Sequence, residues 1–324
     1  MQRRDFLTTL GAGAALAALP GRAALANGFP NRAIQIVGGF GPGSSSDIVT
    51  RLVSPGMHER LGQPIVTHNV QGAAGHIATL QVAKANPDGY TLLMATNSQL
   101  SANPHLLPPQ GFDPNQAFEP VVPVCYIGLV IVTPADSPID SLEAAMKASR
   151  DGRMLTYGTP GVATPMHLVG EMLSEQAGGK LMHVPYKGGA QMLTDLVSGQ
   201  IDLGIVAYTP AAGFVGDGRL RALAVCGDRR LQALPDVPAI PEVVPGISMG
   251  AWCALMAPAG TPADVRSRIA DAFSAAAAAP DIQAQLIEIG NDPITGGEAE
   301  VRGLMASEYA LAGGLIRRLN IQLG

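Results

Sequence analysis

The chain has 324 residues, with 26 acidic and 21 basic side chains, a net charge of −5 and a single tryptophan. That length leaves room for two domains, or one large one, around a substantial core. An acidic chain with scattered basic residues fits neither nucleic acid nor an anionic membrane surface, so an anionic ligand has to be held by local groups.

The N-terminus reads as an export signal. Arg3 and Arg4 give a positive start, small apolar residues fill 10–19, and Ala24-Leu25-Ala26 supplies a small-x-small cleavage pattern. The Arg-Arg-Asp-Phe-Leu spacing resembles a twin-arginine signal, although Gln2 and Thr8 depart from its fullest form. Gly11, Gly13 and Pro20 interrupt the apolar run, which is too short to span a bilayer. Removing 1–26 takes away Arg3, Arg4, Arg22 and Asp5, leaving 298 residues with a net charge of −7 and a periplasmic destination.

The mature chain alternates short apolar runs with helical patterns. Strands are expected at 33–37, 64–66 and 91–94, with helices at 47–61 and 77–85 between them. Next come strands at 129–132 and 155–157, with a helix at 142–149 between them. A helix at 167–176, a strand at 182–184 and a helix at 191–197 follow, then strands at 201–206 and 220–225. Helical patterns close the chain at 262–279, 281–289 and 297–319. Strands separated by helices at this rhythm predict an α/β architecture with largely parallel sheets.

Cys125, Cys226 and Cys253 are widely spaced and odd in number, so they make neither a disulfide framework nor a zinc site. Cys125 and Cys226 read as small core residues, with oxidation of one pair left open. The six histidines show no ligand-pair spacing, and no metal or cofactor is expected. Trp252 reads as packing, Arg229-Arg230 as a solvated pair, and Tyr186-Lys187-Gly188-Gly189 as a helix-entry turn.

Two glycine- and serine-rich junctions lie between a strand and a helix. The first is Phe40-Gly41-Pro42-Gly43-Ser44-Ser45-Ser46-Asp47; the second runs from Tyr157 to His167 through Gly161, Ala163 and Thr164. Each offers a permissive turn, hydroxyl groups and free N–H groups at a helix start, which suit an anion. A turn with an ordinary N-cap explains either one alone; one in each half of the chain brings the two readings level. Enzyme signatures are lacking. Gly41-x-Gly43-x-x-Ser46 misses the third glycine of a dinucleotide fingerprint, and no Gly-Lys-Ser/Thr or G-x-S-x-G occurs. A secreted hydrolase using one of the serines is the distant alternative.

Further motifs occur in order along the mature chain. They include Gly72-Ala73-Ala74-Gly75 after Asn69, Pro87-Asp88-Gly89-Tyr90-Thr91-Leu92-Leu93, Val184-Pro185-Tyr186-Lys187-Gly188-Gly189 and Gly199-Gln200-Ile201-Asp202. Leu234-Pro235-Asp236-Val237-Pro238 and Ala257-Pro258-Ala259-Gly260-Thr261-Pro262 complete the set. With the two junctions, they make the chain resemble the Bug (TctC-like) family of periplasmic binding proteins of tripartite tricarboxylate transport systems. The resemblance implies a two-lobed type II, Venus-flytrap fold that is monomeric and binds a small carboxylate in the interlobe cleft. It implies a first lobe of residues 27–124 and 248–324 and a second of 125–247. Ser44, Ser45, Ser46 and Asp47 map onto one carboxylate-holding loop, and Gly161, Ala163, Thr164 and His167 onto the other. Ser98 maps near the cleft. The implied partners are membrane permease subunits, with a sensor receptor as the alternative. Ser44 stands where the family usually has glycine, and Ala163-Thr164 where Gly-Ser is common. Val206-Ala207-Tyr208-Thr209 replaces a more polar strand end, so Tyr208 is expected to give the far end of the pocket a less polar character.

Overall fold

A computed structural model describes residues 28–106, 113–162, 164–178 and 181–321; residues 1–26, expected to be an export signal, and Ala163 lie outside the described residues. Among the described residues, eleven strands form two sheets. Strands β1 (Ile34–Gly38), β2 (Ile65–Asn69), β3 (Thr91–Thr96) and β4 (Phe118–Ile127) precede β5 (Leu129–Pro134), β6 (Leu155–Thr159), β7 (Leu181–Pro185), β8 (Leu203–Ala207) and β9 (Leu220–Val225). The chain closes with β10 (Ala251–Pro258) and β11 (Asn291–Pro293). The first sheet has the order β11-β4-β10-β3-β1-β2, and the second β7-β6-β8-β5-β9. The chain passes from one sheet to the other at Gly128 and returns between β9 and β10.

The sheets are mixed rather than largely parallel. Parallel pairing is confined to β2-β1-β3 and β7-β6-β8, whereas β4, β5, β9, β10 and β11 all pair antiparallel. The physical reason is the connection: strands of one trio joined through helices run parallel. By contrast β10, arriving from the second sheet, enters between β4 and β3, and β5, arriving from the first, enters between β8 and β9, each against the direction of its neighbours. Each parallel trio has the same order, with the first strand of the trio in the middle. Both middle strands lead straight into one of the two junctions.

Helices cover the sheets through spaced apolar side chains. The helix Ser45–Leu61 buries Val49, Val53 and Met57 at intervals of four, each fully shielded. Removing each from water contributes about 1.5–3 kcal/mol. Pro55 sits inside this helix, and Ser54 and Thr50 hydroxyls donate to the carbonyls of Thr50 and Ser46 one turn back, at 2.6 and 2.7 Å. Gly62 ends the helix in the left-handed conformation, where glycine carries no Cβ penalty.

The first crossing is tightly held. The Gly128 N–H donates to the Gly290 carbonyl at 2.8 Å, and its own carbonyl accepts the Tyr208 N–H at 2.7 Å. A Cβ at Gly128 would lie 2.6 Å from the Gly290 oxygen, so a side chain there would push the crossing apart. Arg229 and Arg230 are not merely solvated. Arg229 pairs with Asp292 of the first sheet at 3.4 Å, and Arg230 clasps Glu242 through two nitrogens at 2.7 and 3.0 Å. Trp252 is fully buried, in keeping with a packing role.

Candidate functional site

The two junctions lie at the carboxyl ends of β1 and β6, the middle strands of the parallel trios. Open α/β sheets hold ligands outside those ends, where helix N-termini present unpaired N–H groups. In the first junction Gly43 takes a positive φ of 80° and turns the chain into the helix starting at Ser45. Ser44 is the N-cap, its hydroxyl accepting the Asp47 N–H at 3.4 Å and lying 3.3 Å from the Ser46 hydroxyl. Ser45, Ser46 and Asp47 are almost fully buried, each 3% exposed.

Asp47 has its carboxylate committed to the protein. One oxygen accepts the Gly43 N–H at 3.0 Å; the other accepts Asn69 at 2.7 Å and Arg51 at 2.9 Å. Its negative charge at the helix start is thus balanced by Arg51 and fixes the shape of the turn. Asp47 shapes this loop. Ser45 points elsewhere: its hydroxyl lies 2.8 Å from the Thr209 hydroxyl, which in turn donates to the Ile289 carbonyl at 3.0 Å. Thr209 has one proton to give, so Ser45 is the donor in their shared bond. Thr209 follows β8 at the start of the helix Tyr208–Gly216. That bond therefore brings the carboxyl end of the first parallel trio against the carboxyl end of the second.

The second junction is built on the same plan. Thr164 caps the helix Pro165–Gln176, its hydroxyl accepting the His167 N–H at 3.3 Å and donating to the Gly161 carbonyl at 3.0 Å. The Thr159 hydroxyl donates to that same carbonyl at 3.0 Å. Gly161 itself has a φ of 130°, a conformation that favours glycine. Two hydroxyls thus occupy the Gly161 carbonyl. An anion is served by that arrangement, because it leaves donors rather than acceptors at the helix start.

Behind this loop lies a polar stack. The His183 ring packs at 4.0 Å on His167 and at 5.0 Å on Tyr157. Its Nε2 is 2.7 Å from the Thr159 oxygen; since that hydroxyl gives its proton to Gly161, Nε2 carries the hydrogen. Burial is the main cause that pulls the His183 pKa down to about 4, with the His167 charge adding to it and Glu171 opposing it. Glu171 accepts the Tyr157 hydroxyl at 2.6 Å and lies 3.6 Å from His167 Nε2. His167 is the main cause that holds the Glu171 carboxyl below its ordinary range. His167 is 6% exposed.

The remaining expected site residues fall nearby or at the crossing. Ser98, buried, opens a short π-helical segment Ser98–Ala102 after β3. Its neighbour Gln99 binds the Thr96 N–H at 3.0 Å and donates to Thr79 at 2.9 Å and to the Gly75 carbonyl at 3.2 Å. Tyr208 is 7% exposed, and a Cβ on Gly290 would fall 2.6 Å from its ring, so it packs at the first crossing. Burial raises its phenol pKa, and the Glu288 charge adds to this. Sequence reasoning placed Thr159 inside the second junction and Thr209 in the Val206-Ala207-Tyr208-Thr209 stretch but gave neither a role, and it passed over Glu171 and His183. Only the hydroxyl of Thr209, two residues past β8 in a chain repeating the β1 pattern, offered a signal. Among the described residues no group of three His, Cys, Asp or Glu side chains is arranged to hold a metal.

Two sheets joined by two crossings, with paired loops at their facing carboxyl ends, define a periplasmic binding protein of the two-lobed α/β kind. The chain belongs to the tripartite tricarboxylate transporter family of receptors, whose sequence profile matches residues 49–321. It is 34% identical over 307 residues to a UPF0065 protein of Bordetella bronchiseptica, covering 95% of this chain and 91% of that one. It is 31% identical to the protein BugT of Bordetella pertussis, covering 92% of each. Among solved structures, it is similar to the R. palustris protein Rpa4515 with adipate, at a TM-score of 0.86 and 29% identity over 91% of this chain and 99% of that one. It is also similar to MatC from Rhodopseudomonas palustris with bound malate, at a TM-score of 0.82 and 27% identity over 89% and 100% of the two chains. The protein is accordingly an extracytoplasmic solute-binding protein and not an enzyme, which removes the hydrolase alternative.

Proposed function

We propose that this protein captures a small carboxylate between its two loops and delivers it to the membrane permease of a tripartite tricarboxylate-type transporter. The observation that carries this reading is the matched pair of helix starts after β1 and β6, one on each sheet, capped by Ser44 and Thr164. The Ser45–Thr209 bond sets the first of them against the carboxyl end of β8, the neighbour of β6 in the second sheet. Neither loop contains Arg or Lys, so main-chain N–H groups and hydroxyls do the holding; the helix termini then favour a carboxylate by about 0.3–1 kcal/mol each, and more where water is excluded. Adipate and malate, held by two similar proteins, are both small dicarboxylates, which supports the same ligand class here.

In this reading the N-terminal segment directs the chain to the periplasm and is removed there. The lobes are residues 27–124 with 248–324, and residues 125–247, and the protein acts as a monomer. Ser44, Ser46, Gly161, Thr164 and His167 line the carboxylate end, with Asp47 holding the first loop in shape and Ser45 tying it to Thr209. Ser98 and Tyr208 border the cleft further out. A ligand touching both loops favours the closed arrangement of the lobes, because only that arrangement satisfies both ends. Thermal unfolding of the mature protein, freed of any co-purified ligand, is the test. Carboxylates of two to eight carbons would be screened beside amino acids and sugars. One carboxylate at a hundredfold excess over its dissociation constant adds about 2.7 kcal/mol of stability and raises the melting temperature. A shift with sugars alone would overturn the carboxylate reading.

A further inference from the structure

We propose that Cys125 and Cys253 close into a disulfide in the exported protein, joining the strand that leads into the second sheet to the strand that follows the return. The inference rests on the reading of the chain as exported. The two residues are direct partners in the antiparallel register of β4 and β10. Their sulfurs lie 3.3 Å apart, and both residues are completely shielded from solvent. Directly opposed residues of an antiparallel pair have Cα atoms about 4.5–5.5 Å apart, within the roughly 4.4–6.8 Å that a disulfide needs. The register shifts immediately beside the pair, between Cys253 and Ala254. Such a bulge increases the local twist, and this eases the side-chain dihedral that a cross-strand disulfide adopts.

The position gives the bond a consequence. Cys125 stands three residues before the Gly128 crossing and Cys253 near the start of β10, and 128 positions separate them. The covalent ring would contain the whole second sheet, β5 to β9. It would fix β4 against β10 at the root of both crossings, while Gly128 and residues 248–250, which carry the crossings, are not themselves cross-linked. The lobes could then move about crossings whose base cannot slip in register.

The chemistry is a thiol–disulfide exchange with an oxidant that itself carries a disulfide, such as oxidised glutathione or a protein dithiol oxidant. The thiolate of one cysteine attacks the oxidant's S–S bond, forming a mixed disulfide and releasing one oxidant thiolate. The second cysteine's thiolate attacks the first cysteine's sulfur in that mixed disulfide. This forms the Cys125–Cys253 bond and releases the other oxidant thiolate. The cysteines lose two protons and two electrons, and the oxidant gains both. In the folded protein Cys253, burial and Asp292 hold the Cys125 thiol well above its ordinary range. Thiolate is scarce there, so the exchange belongs to chains in which β10 has not yet docked on β4.

The test is alkylation with iodoacetamide in denaturant, without reductant, of full chain recovered separately from periplasm and cytoplasm, read by intact mass and peptide mapping. The proposal predicts one adduct per periplasmic chain, on Cys226, rising to three after reduction. Cys125→Ser and Cys253→Ser should each show two adducts before reduction. Three adducts on periplasmic chains before reduction, or a disulfide that includes Cys226, would overturn it. Chain found only in the cytoplasm would instead count against export. Refolding that chain in a glutathione redox pair then decides the pairing, one adduct supporting it and three refuting it.

Discussion

Gly161 turns its carbonyl toward two hydroxyls, from Thr159 and Thr164, and this small arrangement ties the end of β6 to the cap of the helix that follows. It also fixes the hydrogen on His183 Nε2 and keeps that ring neutral in a stack with His167 and Tyr157. The charge consequence is testable. In the unfolded chain the imidazole titrates near 6.5, whereas in the folded protein burial brings it down to about 4. Between those values the unfolded chain binds about one proton more. Stability contributed by His183 is therefore complete above about pH 6.5 and is lost as pH falls toward about 4. Glu171, also held below its ordinary range, adds in the same direction at the acid end of that window. Urea unfolding of wild type and His183→Gln between pH 7.5 and 4.5 should show a steeper loss on acidification in wild type, by about one proton. Parallel pH dependences would contradict this account. The capping role of Thr164 was legible in the sequence because an N-cap is a local pattern. The roles of His183 and Glu171 were not, because they meet Thr159 and Tyr157 across 24 and 14 residues.

At the scale of elements, the helix starting at Ser45 and the helix starting at Tyr208 belong to different sheets, yet one hydroxyl pair joins them. A double-mutant cycle with Ser45→Ala and Thr209→Val should give a coupling of about 1 kcal/mol in unfolding free energy, the usual net worth of a buried hydrogen bond. Simply additive losses would show that the two ends do not meet in solution. Much of the element order was legible because helical and strand patterns alternate with clear turn residues. Strands β4 and β10 escaped the sequence reading for a physical reason. Phe118–Ile127 carries two prolines and Ala251–Pro258 is buried on both faces, so neither shows the period-two alternation of a half-exposed strand. Their antiparallel pairing, which makes the first sheet mixed, depends on partners more than a hundred residues away. The same distance hid the approach of Cys125 to Cys253, which look unrelated along the chain.

For the whole molecule, the reading joins these scales: two equivalent loops on two sheets hold one anion, and holding it draws the lobes together. The two-lobed fold came within reach through the many ordered motifs rather than through any single one. The approach of the first loop to the carboxyl end of β8 needed the structure, since only there does Ser45 meet Thr209. The central claim is that the ligand touches both loops at once. Calorimetric titration of the best carboxylate from the thermal screen into wild type, Ser46→Trp and Thr164→Trp tests it most directly, with ligand-free melting temperatures as the control for folding. Loss of binding by at least a hundredfold, about 2.7 kcal/mol, in both variants is the predicted result. Wild-type affinity in either folded variant would contradict a carboxylate bridging the two loops.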